Sequence, residues 1–85
     1  MKLDYDLQQA DDYVDIYVYF VRGDRSWQMH MYRDRESLYI SNPAYMYSPN
    51  HHESFDDVPR LPKRVQAYFD SIMEKVRVLL ILGSN

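Results

Sequence analysis

The chain has 85 residues, 46% of them apolar and 27% charged, with 13 acidic and 10 basic side chains for a net charge of −3. That supports one small core and excludes a dinucleotide-binding unit, a barrel or a kinase-sized fold. Cysteine is absent, which excludes disulfides, thiolate metal sites and cysteine catalysis and suits a reducing compartment; with no apolar leader at Met1–Asp6 and no long apolar run, a cytoplasmic protein without a membrane span is expected.

The charge is uneven. Residues 1–15 carry five Asp and one Lys, a net −4, whereas residues 58–85 carry five basic and two acidic side chains, a net +3. Near the N-terminus Leu3, Tyr5 and Leu7 alternate like a strand, while Leu3, Leu7, Ala10 and Val14 fit helical spacing. A short edge strand is expected, with a helix over residues 2–8 as the alternative.

The strongest pattern follows. Val14, Ile16, Val18 and Phe20 alternate with Asp15, Tyr17, Tyr19 and Val21, a period of two rich in β-branched and aromatic residues. Arg22-Gly23-Asp24-Arg25 supplies a turn, and Ser26 to Arg33 alternates again. With Gly23-Asp24 as a two-residue loop, Phe20 faces Trp27, Val18 faces Met29 and Ile16 faces Met31, while Tyr19 faces Gln28, Tyr17 faces His30 and Asp15 faces Tyr32. Every apolar pair falls on one face, an agreement that a one-residue slip would destroy.

A third strand is expected over Ser37 to Ser41, with Ile40 facing Met31 and Tyr39 facing Tyr32. Pro43, Pro49, Pro59 and Pro62 break up residues 42–62. Within them Tyr45-Met46-Tyr47 suits a short edge strand, and Ser54-Phe55-Asp56-Asp57 reads as an N-cap opening one helical turn. The chain ends in a helix whose apolar stripe is Leu61, Val65, Tyr68, Phe69, Ile72, Val76, Leu79 and Leu80, stopped by Gly83. Val78, Ile81 and Leu82 lie off that stripe, so residues 76–82 also admit a strand, although no turn separates them from the helix. The fold class is therefore α+β: one domain over residues 1–85, an antiparallel meander of three to four strands with one C-terminal helix packed on one face.

One helix covers one sheet face. The aliphatic face, which includes Leu38 and Ile40, should take it, leaving Tyr13, Asp15, Tyr17, Tyr19, Gln28, His30, Tyr32 and Tyr39 exposed. Nine tyrosines in the chain is several-fold above usual usage. Tyrosine combines contact area, few torsions and a directional hydroxyl, so these eight residues are the candidate partner-binding surface. The plainer alternative is a solvated face that favours aromatic cross-strand pairs. Asp4, Asp6, Asp11 and Asp12 are a candidate acidic contact for a basic groove on a partner, against a reading as solvated carboxylates. Val78, Ile81 and Leu82 are a candidate oligomer seam, which makes a homodimer or accessory subunit the first alternative.

Stacking of single-stranded nucleic acid on the tyrosines is a further alternative. It would use Arg22, Arg25, Arg33 and Arg35 as a basic rim, and the net negative charge weighs against it. His51-His52-Glu53, near Asp56 and Asp57, is metal-like in composition, but adjacent histidines in extended chain point opposite ways, so a polar loop is preferred and neither metal nor other cofactor is expected. No nucleophile elbow, phosphate loop or zinc-protease motif occurs, and no catalytic residue is assigned. The expected function is non-catalytic protein binding. In size and composition alone, the chain is similar to inhibitors that phages or mobile elements direct at host machinery, of the anti-CRISPR or anti-restriction type.

Overall fold

A computed structural model describes residues 2–50 and 54–83. Five antiparallel strands, β1 (Tyr5–Gln9), β2 (Tyr13–Arg22), β3 (Arg25–Asp34), β4 (Ala44–Ser48) and β5 (Asp56–Asp57), precede one helix, α1 (Lys63–Leu82). The strands form a single meander in the order β1-β2-β3-β4-β5. The architecture is the expected α+β meander with one helix, at five strands rather than three or four.

The central hairpin has the expected register, from Arg22 opposite Arg25 through Phe20 opposite Trp27 to Asp15 opposite Tyr32. Its two-residue loop depends on Gly23, whose φ of 61° lies where a Cβ is penalised. Leu7 opposite Ile16 fixes β1 against β2, so the N-terminal segment is a strand.

The segment after β3 departs from expectation. Residues 37–41 form no strand; they run beside the end of β3 through one bridge, Arg33 to Ile40, with Asp34 N–H donating to Tyr39 C=O at 3.1 Å and Ser41 N–H to Tyr32 C=O at 2.9 Å. This register is two residues from the expected one. A shift of two preserves sides, so Tyr39 stays on the tyrosine face. Ile40 packs beside the core, but Leu38 is 80% exposed and does not belong to the aliphatic face. Further on, His30 lies opposite Ala44. Three steps along β3 therefore match four from Ile40 to Ala44. The extra residue falls at Asn42-Pro43, where proline has no N–H to give the ladder. Asp56 and Asp57 do not open a helical turn either. They pair with Tyr47 and Met46 as β5, since the outer edge of β4 offers main-chain partners and Pro59 stops the chain from continuing.

The core lies between the sheet and α1. Val14, Ile16, Val18, Met29 and Met31 are fully buried from the strands, and Val65, Phe69, Ile72, Val76 and Leu80 are the buried stripe of the helix. The helix is continuous through residues 76–82, with Val78, Ile81 and Leu82 exposed on it. It is poorly matched to its own dipole, with no acidic residue in its first turn, none that is basic in its last, and Pro62 at its N-cap. Packing holds it, with help from one cation. Arg33 is buried on the core face, its Nε donating to Leu80 C=O at 3.1 Å, while one terminal nitrogen donates to Ser37 C=O at 2.8 Å and Asp34 C=O at 3.1 Å. A guanidinium from the sheet thus serves the carbonyl end of the helix.

Gly83 closes α1 without a left-handed turn: its φ is −72° and its N–H donates to Leu79 C=O at 2.8 Å. Glycine suits the crowding there, because a Cβ would meet both the Leu79 carbonyl oxygen and the Leu7 side chain. Gln9 Nε2 donates to the Gly83 carbonyl, so the helix end is tied to β1.

Candidate functional site: the tyrosine face

Strand pleating sends alternate residues to opposite sides, and cross-strand partners share a side. The face away from α1 is therefore built from Asp6 and Gln8 of β1, Tyr13, Asp15, Tyr17, Tyr19 and Val21 of β2, Ser26, Gln28, His30, Tyr32 and Asp34 of β3, Ala44, Met46 and Ser48 of β4 and Asp57 of β5. Among the described residues no second layer covers its tyrosine-bearing part, while Ser26 and Ser48 at the hairpin end are buried. Tyr17, Tyr19, Gln28, His30 and Tyr32 are half-buried by one another, and Tyr13 and Tyr39 are exposed.

The rings are ordered by mutual contact. Tyr17 and His30 stack with centroids 4.5 Å apart and planes 15° from parallel. Tyr13 meets Tyr32 edge-on at 5.1 Å. Tyr32 is also 6.2 Å from Tyr39 and 6.3 Å from His30. At the other end Phe55 lies 6.3 Å from Tyr19. His30 Nε2 is 2.8 Å from Asp15 Oδ1, so Asp15, which looks misplaced in mid-sheet, anchors the imidazole that stacks on Tyr17. Such contacts fix side-chain torsions before any partner arrives.

The phenols hold their protons tightly. Burial, then the Asp15 charge, raises the pKa of Tyr17. Burial also raises that of Tyr19, with Asp6 and Asp4 adding to it and a hydrogen bond with Gln28 working the other way. Neighbouring Tyr39 raises that of Tyr32. At neutral pH these hydroxyls are neutral groups able to donate.

The structure gathers the eight tyrosine-face candidates on one surface and adds Asp4 and Asp6, which flank Tyr19 and Tyr17. Asp11 and Asp12 lie apart, exposed in the β1–β2 turn. The expected arginine rim is not a rim. Arg33 is buried beneath the opposite face, Arg25 lies 5.4 Å above the Trp27 ring, and Arg35 donates to Gln9 Oε1 and Ala10 C=O at 3.2 Å. Asp6, Asp15, Asp34 and Asp57 all occupy strand positions of the tyrosine face, and no such position is Lys or Arg. The sequence pattern missed Met46, Phe55 and Asp57 as members of this surface. Alternation around Met46 was visible, but its side was set only by pairing with Gln28. His51, His52 and Glu53 lie outside the described residues.

Compared with protein-family models, curated proteins and solved structures, the chain matches none. Among the described residues no helix is long and apolar enough to cross a membrane.

Proposed function

We propose that the tyrosine face is a protein-docking surface and that the chain is a small non-catalytic binding module, acting in the cytoplasm as an inhibitor that covers part of a partner. The observation that carries this reading is the linked array Tyr39–Tyr32–His30–Tyr17, with Tyr13 against Tyr32, left uncovered on a sheet whose other side is sealed by α1. Pre-ordered aromatic side chains lose little freedom on docking, which is where much binding energy is otherwise lost. The carboxylates of Asp6, Asp15, Asp34 and Asp57 favour a partner surface bearing Lys or Arg, and they oppose a nucleic-acid backbone.

The test is a nuclease-treated pull-down with the wild-type chain and with Tyr17→Ala/Tyr19→Ala. The expected result is one stoichiometric protein, captured by the wild type and lost with the double variant, which keeps its circular dichroism and a cooperative thermal transition. Equal capture by both chains would remove the tyrosine face from the interface, and an unfolded double variant would make those tyrosines part of the core.

A further inference from the structure

We propose that a second copy of this chain docks on the free edge of β1, continuing the sheet across a two-fold axis at Leu7. The two edges of the sheet are built differently. The β5 edge is two residues long, both exposed aspartates, with Pro59 close behind. Short, charged, proline-ended edges resist pairing. The β1 edge is five residues, Tyr-Asp-Leu-Gln-Gln, with neither lysine nor proline.

The main chain of β1 is poised for such pairing. Tyr19 N–H donates to Asp4 C=O at 3.0 Å and Ala10 N–H to Tyr13 C=O at 2.9 Å. In an antiparallel ladder these bonds alternate, so the even residues of β1 are bonded to β2, and Tyr5, Leu7 and Gln9 turn their N–H and C=O groups outward. Centred on Leu7, two antiparallel copies of β1 set Leu7 against Leu7, Tyr5 against Gln9 and Asp6 against Gln8. Outward groups then meet outward groups along the whole strand. The Asp6 carboxylate faces a side-chain amide that can donate to it, and Asp4 faces Ala10. Moving the axis to Asp6 would set two carboxylates directly opposite, and a shift of one residue in the pairing would match outward groups with inward ones.

The flank of the helix adds apolar surface to the same edge. Tyr5 and Leu7 point to the α1 side, and a groove of about 510 Å³ between β1 and α1 is lined by Leu3, Tyr5, Val78 and Leu79, with Glu74 and Lys75 at its rim. Val78 is 49% exposed and Leu82 62% exposed. The fold gives neither a role in the core. A copy related by the axis at Leu7 brings its own helix flank to the same side of the sheet, so both groups of aliphatic side chains gain cover. The tyrosine face remains open in this dimer, and the proposal stands independently of what that face binds.

Sedimentation equilibrium over a concentration series, on the wild type, Tyr5→Pro and Val78→Asp, tests this together with amide exchange at Leu7. Proline at Tyr5 removes an outward N–H and leaves the bonds to β2, at a strand start where proline is tolerated. The wild type should move with concentration from 10.3 kDa toward twice that mass. Each variant should keep its helix signal and thermal unfolding, weaken the association roughly tenfold or more, and release the Leu7 amide. A wild-type mass of 10.3 kDa throughout would overturn the proposal, as would a dimer that survives both substitutions. A monomer whose Leu7 amide becomes protected only when a different polypeptide is added would also overturn it, giving the edge to a foreign strand.

Discussion

The two faces of the sheet come from the same stretch of chain and end in opposite surroundings. Val14, Ile16 and Val18 have no exposed surface, while Tyr13, 45% exposed, and half-buried Asp15 and Tyr17 alternate with them. Period two separates the sides but does not say which is covered. The stripe on α1 decides that, because Val65, Phe69, Ile72, Val76 and Leu80 need aliphatic partners and find them only beneath the helix. The lesson is a division of labour: one face spends its apolar area on stability, and the other orders its aromatic rings without a covering layer.

Removing a large side chain from each face tests that division most strongly. Phe69→Ala empties a fully buried site and should cost about 3–5 kcal/mol in urea unfolding. Tyr17→Ala removes a half-exposed ring and should cost about 1 kcal/mol or less. Equal losses would mean that the tyrosine face is a second core. Arg33→Met probes the buried cation on the covered face. It deletes the guanidinium that holds the end of α1, and should cost about 1.5–3 kcal/mol, the range for hydrogen bonds to charged groups. Amide exchange should show the loss concentrated in the last turns of the helix. Gly83→Ala forces a methyl group against Leu7 and should cost about 1–3 kcal/mol as an overpacked contact; simultaneous Leu7→Ala should restore part of the loss that the methyl group causes.

What was legible in the sequence followed local pattern. The hairpin could be registered residue by residue because Gly23 marks the loop and one face is apolar at every pair. The helix and its stripe were equally plain. Arg33 was not, because its partner, the Leu80 carbonyl, lies 47 residues away and no periodicity marks a cation serving another element. The register of residues 37–41 failed because the turn after β3 takes in two more residues, so that Asp34 bonds to Tyr39 and Arg33 faces Ile40, and no glycine marks the length of that turn. Two-residue β5 is too short to have a pattern of its own. For the tyrosine face, its membership in β2 and β3 was legible. The contributions of β4 and β5, and the loss of the arginine rim, depended on pairing that only the folded chain specifies.

The smallest expected effect belongs to the open face and to alkaline pH. Tyr17 and Tyr19 have folded pKa values raised above the ordinary 10.0, chiefly by burial and further by Asp15 for the first and by Asp6 and Asp4 for the second. Tyr68, which packs against Phe20, is raised by burial and by Asp4. Each of these groups binds its proton more tightly folded than unfolded. Their contribution is therefore complete below 10.0, where both states are protonated, and is lost as pH climbs above 10.0 through the folded values, because the unfolded chain ionises first. Unfolding free energy should accordingly begin to fall above pH 10.0, with tyrosinate absorbance lagging behind that of the denatured chain. Asp6→Asn removes a charge that raises Tyr19, whereas Tyr17 is raised by burial, Asp15 and Tyr19, so the Tyr19 midpoint should come down and the Tyr17 midpoint should stay in place. Midpoints that move together would show the face titrating as one coupled array, and an unmoved Tyr19 would leave its shift to burial and Asp4.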